Sequence, residues 1–171
     1  FWESVVDLNN WHQKRISKLI VNKLFGTVSG KKICILGFAF KANTNDTRES
    51  ASINICKDLI DEGAILYIHD PKVISEQIAE VLDIKKNKDY EINQKNKHPH
   101  EGSWCFIEDI SDGFNGTDAV VILTEWKEYY NINWELASKK MRKPSWIFDA
   151  RSILNPKEIK ENNLFLWRIG D

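Results

Sequence analysis

The chain has 171 residues, is 42% hydrophobic and carries a formal net charge of -1. That is enough apolar material for one core, and it excludes the charge excess that draws a protein to nucleic acid or to a membrane surface. No apolar run approaches the length of a membrane-spanning helix, and no charged stretch followed by an apolar one marks a leader, so a soluble, cytoplasmic protein is expected. Cys34, Cys56 and Cys105 are odd in number and scattered, and they are read as reduced, structural thiols.

The first pattern is helical. Val5, Leu8, Ile16, Leu19, Ile20 and Leu24 lie mostly along one face, and Phe1 and Trp2 stand at the tip with no initiating Met. Such a helix reads as the end of a longer one. Residues 1–25 are therefore expected to serve between domains or subunits, with an ordinary outer helix of the same domain as the alternative.

Lys31 and Lys32 lead into the apolar run 33–36, which stops at Gly37, and helix-compatible residues resume near Ala51. Strand, loop and helix in that order form the part of an open α/β fold where strand ends and helix N–H groups meet and favour anions. Lys41 and Arg48 are the cations of this loop. A phosphorylated ligand is the first expectation.

Residues 52–62 read as a helix ended by Gly63, residues 64–68 as a second strand closing on His69, Asp70 and Pro71, and residues 74–82 as a further helix. From 85 to 101 the period vanishes in a lysine-rich polar stretch, which is expected to be a solvated insertion. Residues 104–107 read as a strand, 110–114 as a short helix before the turn Asn115-Gly116, and 118–123 as a buried strand. After Thr124, Glu125 and Trp126 come a helix at 133–141, a strand at 145–148, a helix opening on Pro156, and a closing strand at 164–169. No element is assigned between 124 and 132. The alternation implies a Rossmann-like, doubly wound parallel sheet in the α/β class.

In such a sheet the strand carboxyl ends share one edge. Lys41, Asp70, Thr124 and Arg151 each follow a different strand and are expected to converge on one crevice. Each has a local alternative: Asp70 caps the turn at Pro71, Thr124 caps the segment after it, Arg151 pairs with Asp149 or Glu49, and Lys41 is a solvated charge. The glycine-rich dinucleotide fingerprint is missing, because Phe38, Ala39, Phe40 and Lys41 follow Gly37. There is no P-loop or nucleophile elbow, and His98 and His100 lack the partners of a metal site.

The stretch GFAFKANTNDTRES, followed by TEW and then FDAR, resembles the C-terminal, UDP-binding domain of the UDP-glucose dehydrogenases, within the wider nucleotide-sugar dehydrogenase family. The resemblance implies an enzyme of two Rossmann-like domains joined by a long central helix, which oxidises the sugar C6 alcohol to a carboxylate with NAD. Residues 1–25 would be the end of that helix and residues 26–171 the UDP-sugar-binding domain. By the same resemblance Phe40, Lys41 and Arg151 contact the UDP-sugar, and Arg48 reaches toward NAD bound mainly by the other domain. The implied partners are UDP-glucose, the NAD-binding half and further copies in a homo-oligomer. No catalytic or metal-binding residue is carried over, so the chain alone is expected to be inactive. A free-standing nucleotide-sugar-binding or oligomerisation module is the alternative. Ala150 replaces the family's usual glycine, which would restrict the backbone if that position required positive φ, and Asn43 and Asn45 replace its usual Asp and Gly.

Overall fold

The computed structural model describes residues 2–84 and 101–171. The polar insertion expected over 85–101, with His98 and His100, lies outside the described residues except for Glu101. Six parallel strands, β1 (Lys32–Leu36), β2 (Ile65–His69), β3 (Ser103–Phe106), β4 (Ala119–Ile122), β5 (Trp146–Asp149) and β6 (Phe165–Arg168), form one sheet. Their order is β3-β2-β1-β4-β5-β6.

The two central strands explain why the sheet is parallel. Every residue of β4 is buried, as are the last four of β1, and apolar runs without alternation suit a sheet covered on both faces. They pair Leu36 with Ile122, and the chain then leaves β1 toward one edge of the sheet and β4 toward the other. That reversal opens a crevice beyond their carboxyl ends.

Helices α2 (Ala51–Asp61), α3 (Ser75–Leu82), α4 (Trp134–Lys140) and α5 (Pro156–Glu161) form the crossovers. Their starts follow local chemistry. Ser50 accepts from the Ser52 N–H, Asn133 from that of Leu136, and Asn155 from that of Lys157 just after Pro156. The expected short helix after β3 is a 3₁₀ turn at Ile110–Phe114, and a second 3₁₀ turn at Lys127–Asn131 fills a stretch to which the sequence assigned nothing. Trp104, Trp134, Tyr129 and Phe38 are the bulkiest side chains buried between sheet and helices.

Helix α1 (Trp2–Lys23) meets α2 through residues of its second half, with Gln13 accepting from Asn54. Ile20 and Leu24 are buried, Ser17 donates to Asp58 Oδ2 at 2.9 Å, and Lys31 donates to the carbonyls of Leu24 and Thr27 where the helix ends. Trp2, Val6, Leu8 and Trp11 are exposed toward its start. All three cysteines are buried, and none is in a disulfide.

Candidate functional site

The loop leaving β1 is held by its own backbone. Gly37 donates its N–H to His69 O at 2.9 Å, on the neighbouring strand. The N–H groups of Phe38 and Ala39 both point at Asp70 Oδ2, at 2.8 and 2.9 Å, while Asp70 Oδ1 accepts from Lys72 and Val73 at 2.9 Å each. Trp126 Nε1 adds a fifth donor to Oδ2 at 3.2 Å.

The loop carbonyls are answered as fully. Ser52 Oγ donates to Gly37 O, Ser50 Oγ to Phe38 O, and Thr124 Oγ1 to Ala39 O at 2.9 Å. Phe40 N–H reaches Asp46 O at 2.7 Å, which closes the rest of the loop on itself. Phe38 and Ala39 are thereby driven into the core, whereas Phe40, 46% exposed, stands at the surface beside exposed Lys41.

Arg151 arrives from the far side of the crevice. Asp149, fully buried at the end of β5, accepts from the N–H groups of Arg151 and Leu154 and so shapes the turn that carries the arginine. Positive φ occurs at Ser152 and not at Ala150, so alanine in place of the family's glycine imposes no strain there. The guanidinium donates from Nε to Leu123 O at 2.9 Å and from Nη2 to Phe40 O at 3.4 Å, and Nε lies 3.1 Å from Glu125 Oε2. Nη1 carries no partner among the described residues, which leaves an edge of the guanidinium open to an oxyanion or a hydroxyl.

Of the four residues expected at the crevice, the structure joins Arg151 to the Phe40 backbone, with Lys41 alongside. Asp70 and Thr124 are there too, but buried beneath the loop as its clamps. Asp70 does cap the turn at Pro71, whereas the Thr124 side chain is spent on Ala39 O rather than on the segment that follows it. The Arg151 guanidinium pairs with Glu125 and with neither Glu49 nor Asp149, whose carboxylate takes only the Arg151 backbone N–H. Glu125, Ser50, Ser52 and Trp126 are site-building residues that sequence reasoning missed. For the two serines the helix-capping pattern was the available signal, and for Glu125 only its place after a buried strand.

Arg48 behaves differently. Its side chain is 88% exposed and its guanidinium is forked onto Asp46, with Nη2 to Oδ2 at 2.8 Å and Nε to Oδ1 at 3.0 Å. The hydrogen bonds from Arg48 hold the Asp46 carboxyl down at about 2. Asn43, with φ of 64°, occupies a left-handed position that asparagine tolerates well. Deeper in, His69 Nδ1 lies 2.9 Å from Tyr129 Oη and its Nε2 3.5 Å from Glu128. Burial pulls this imidazole below its ordinary value, against the opposing pull of Asp70 and Asp109.

A dinucleotide does not fit the turn after β1. The N–H groups that would meet its diphosphate are taken by the Asp70 carboxylate, which occupies that place as an internal anion. Among the described residues there is no cluster that would hold a metal ion, and no helix is long and apolar enough to cross a membrane.

Residues 34–156 match the UDP-glucose/GDP-mannose dehydrogenase family, UDP binding domain. The chain is 39% identical over 170 residues to the UDP-glucose 6-dehydrogenase of Drosophila melanogaster, covering 99% of this chain and 34% of the relative. It is 44% identical over 155 residues to that of Gallus gallus, covering 91% and 30%. The solved UDP-glucose dehydrogenase from the hyperthermophilic archaeon Pyrobaculum islandicum shares the fold, with a TM-score of 0.69 at 24% identity over 96% of this chain and 31% of that one. The chain spans about a third of the length of the curated relatives it matches. It belongs to the UDP-glucose/GDP-mannose dehydrogenase family and comprises the UDP-binding domain of that family.

Proposed function

We propose that this domain is the UDP-sugar grip of an NAD-dependent UDP-glucose 6-dehydrogenase, which converts UDP-glucose to UDP-glucuronate. The observation that carries the reading is the Arg151 guanidinium, tied to the Phe40 carbonyl at the sheet's switch point with an open edge next to Lys41. Arginine supplies a planar fork and lysine a compact charge, a pairing suited to a diphosphate flanked by sugar hydroxyls. Phe40 offers an exposed ring as the wall of that pocket. NAD belongs to the remainder of the enzyme, and Arg48, projecting from the loop's outer side, is the residue proposed to reach it.

Hydrogen bonds to charged groups are worth about 1.5–3 kcal/mol each. Lys41→Ala or Arg151→Ala is therefore expected to weaken UDP-glucose binding about tenfold to a hundredfold by calorimetric titration. In spectra of the isotope-labelled chain, UDP and UDP-glucose should shift Phe40, Lys41 and Arg151, and GDP-mannose should not. Unchanged affinity in both variants refutes the assignment.

The oxidation itself is assigned to residues outside this chain. Cys34 and Cys56 have their thiols pushed far up by burial, and Cys105 is buried in β3, so none is available as a nucleophile. Mixing the chain with UDP-glucose and NAD is expected to produce no NADH, and its appearance would show that the chemistry resides here. The cytoplasmic setting suggested by cysteines outside any disulfide belongs to the same proposal. So does assembly into a homo-oligomer through α1, whose exposed Trp2, Val6, Leu8 and Trp11 favour a helix that is covered in the whole enzyme.

A further inference from the structure

Asp46 lies in the loop that follows β1, and its main chain is fixed on both sides. Its N–H donates to Thr44 Oγ1 at 3.1 Å, and its carbonyl accepts from the Phe40 N–H at 2.7 Å. Its Oδ1 accepts from the Arg48 N–H at 2.9 Å, a local turn that sets the direction of the side chain. The carboxylate is thus tied through its backbone to Phe40 and aimed at the guanidinium two residues on.

The resulting ion pair differs from the usual exposed one. Two long side chains that meet in water gain little, because both must be ordered for the sake of the pair. Here the acid is short and already held, so the arginine alone is ordered, with Nη2 2.8 Å from Oδ2 and Nε 3.0 Å from Oδ1. Nη1 has no partner among the described residues and the side chain stays exposed, so the guanidinium is oriented and still available. Lys41 is attracted to the same carboxylate more weakly. Asp46 therefore stands as counter-ion between the two cations of one loop, the first assigned to the UDP-sugar and the second to NAD. Without it, both are drawn to whichever diphosphate binds first.

We propose that Asp46 is a positioning residue for the dinucleotide, which holds the Arg48 guanidinium on the outer side of the loop for NAD and away from the diphosphate of the UDP-sugar. Asp46 touches neither ligand and acts through the arginine. The proposal deepens the reading of this domain as the UDP-sugar grip of a dehydrogenase, and it rests on the place given there to Arg48.

The test is steady-state kinetics of the whole enzyme carrying Asp46→Asn, Arg48→Ala or both. The amide keeps an oxygen for the Arg48 N–H, so the turn survives, but it lacks the charge and the second acceptor that fork the guanidinium. Asp46→Asn is expected to raise KM for NAD about tenfold and to leave KM for UDP-glucose within about twofold. The double variant is expected to match Arg48→Ala alone, since a residue that acts only through the arginine then has nothing left to position. Fully additive losses, or an equal rise in both KM values, would mean that Asp46 supports the loop as a whole. An unchanged KM for NAD in Asp46→Asn, beside a raised one in Arg48→Ala, would mean that the fork plays no part in binding. Each of these results overturns the proposal. If Arg48→Ala itself leaves KM for NAD unchanged, the assignment of Arg48 to NAD falls and the proposal falls with it, whereas a native enzyme that does not oxidise UDP-glucose refutes the UDP-sugar reading as well.

Discussion

Asp70→Ala is expected to be among the most destabilising single changes in this chain, costing about 4 kcal/mol or more of folding stability, and to abolish UDP-glucose binding with it. The carboxylate accepts from five donors, Phe38, Ala39, Lys72, Val73 and the Trp126 indole. Each hydrogen bond to a charged group is worth about 1.5–3 kcal/mol, and each donor left buried and unpaired costs about 1–3 kcal/mol. These terms do not add fully, because water enters part of the space vacated, but they stand against a total stability of only about 5–15 kcal/mol for a domain. Asp70→Asn is expected to lose about 2–3 kcal/mol. It keeps the volume but must turn an amide N–H toward one of the two donor groups that the carboxylate oxygens now serve.

Urea denaturation of the two variants measures both losses, and a cost below about 1 kcal/mol for Asp70→Ala would show that the clamp is dispensable. The functional half follows from the same bonds. With the Phe38 and Ala39 N–H groups released, nothing fixes the step that buries Phe38 and exposes Phe40, and the backbone carrying Lys41 loses its register against Arg151.

The fold was legible where side-chain pattern alone decides it. The unbroken apolar runs of β1 and β4 mark strands covered on both faces, and Gly63, Asn115-Gly116 and Asn155-Pro156 end or begin elements for reasons confined to a few residues. What escaped was set by distant contacts. The 3₁₀ turn at Lys127–Asn131 has no period of its own and is held by the Tyr129 hydroxyl, which donates to His69 O at 3.2 Å across the sheet's edge.

The candidate site divides in the same way. That Lys41 and Arg151 would share an edge follows from each standing after a strand of one parallel sheet. Which carboxylate Arg151 would choose does not, since its side chain is long enough for several, and only the turn built on Asp149 sends it to Glu125. Phe38 and Phe40 are chemically identical and two residues apart. The Asp70 clamp, 30 residues downstream of Phe40 by their numbers, decides that one is core and the other surface.

Gly37→Ala is the second change expected to be severe, at about 4 kcal/mol, and it separates two physical costs that are often confused. Gly37 has φ of 95°, a conformation that L side chains resist by about 1–2 kcal/mol. In addition, a Cβ at this position would lie 2.7 Å from the Thr124 backbone nitrogen and closer still to the Thr124 side chain. Overpacking of a fixed core adds about 1–3 kcal/mol. The nitrogen has little freedom to retreat, because Leu123 beside it donates to Leu36 O at 2.9 Å while Gly37 itself is bonded to His69 O on the other side. Shortening Thr124 is accordingly not expected to rescue the variant. Gly116 provides the control, with φ of 64° and nothing within 4 Å of the added carbon, so Gly116→Ala should cost only about 1 kcal/mol. If the two substitutions shift the urea midpoint equally, backbone conformation alone explains glycine at the strand's end. A much larger loss at Gly37 would show that the chain needs glycine there because the segments leaving β1 and β4 converge at the mouth of the crevice, leaving no room for even one carbon between the strand that leads to Lys41 and the strand that leads to Glu125.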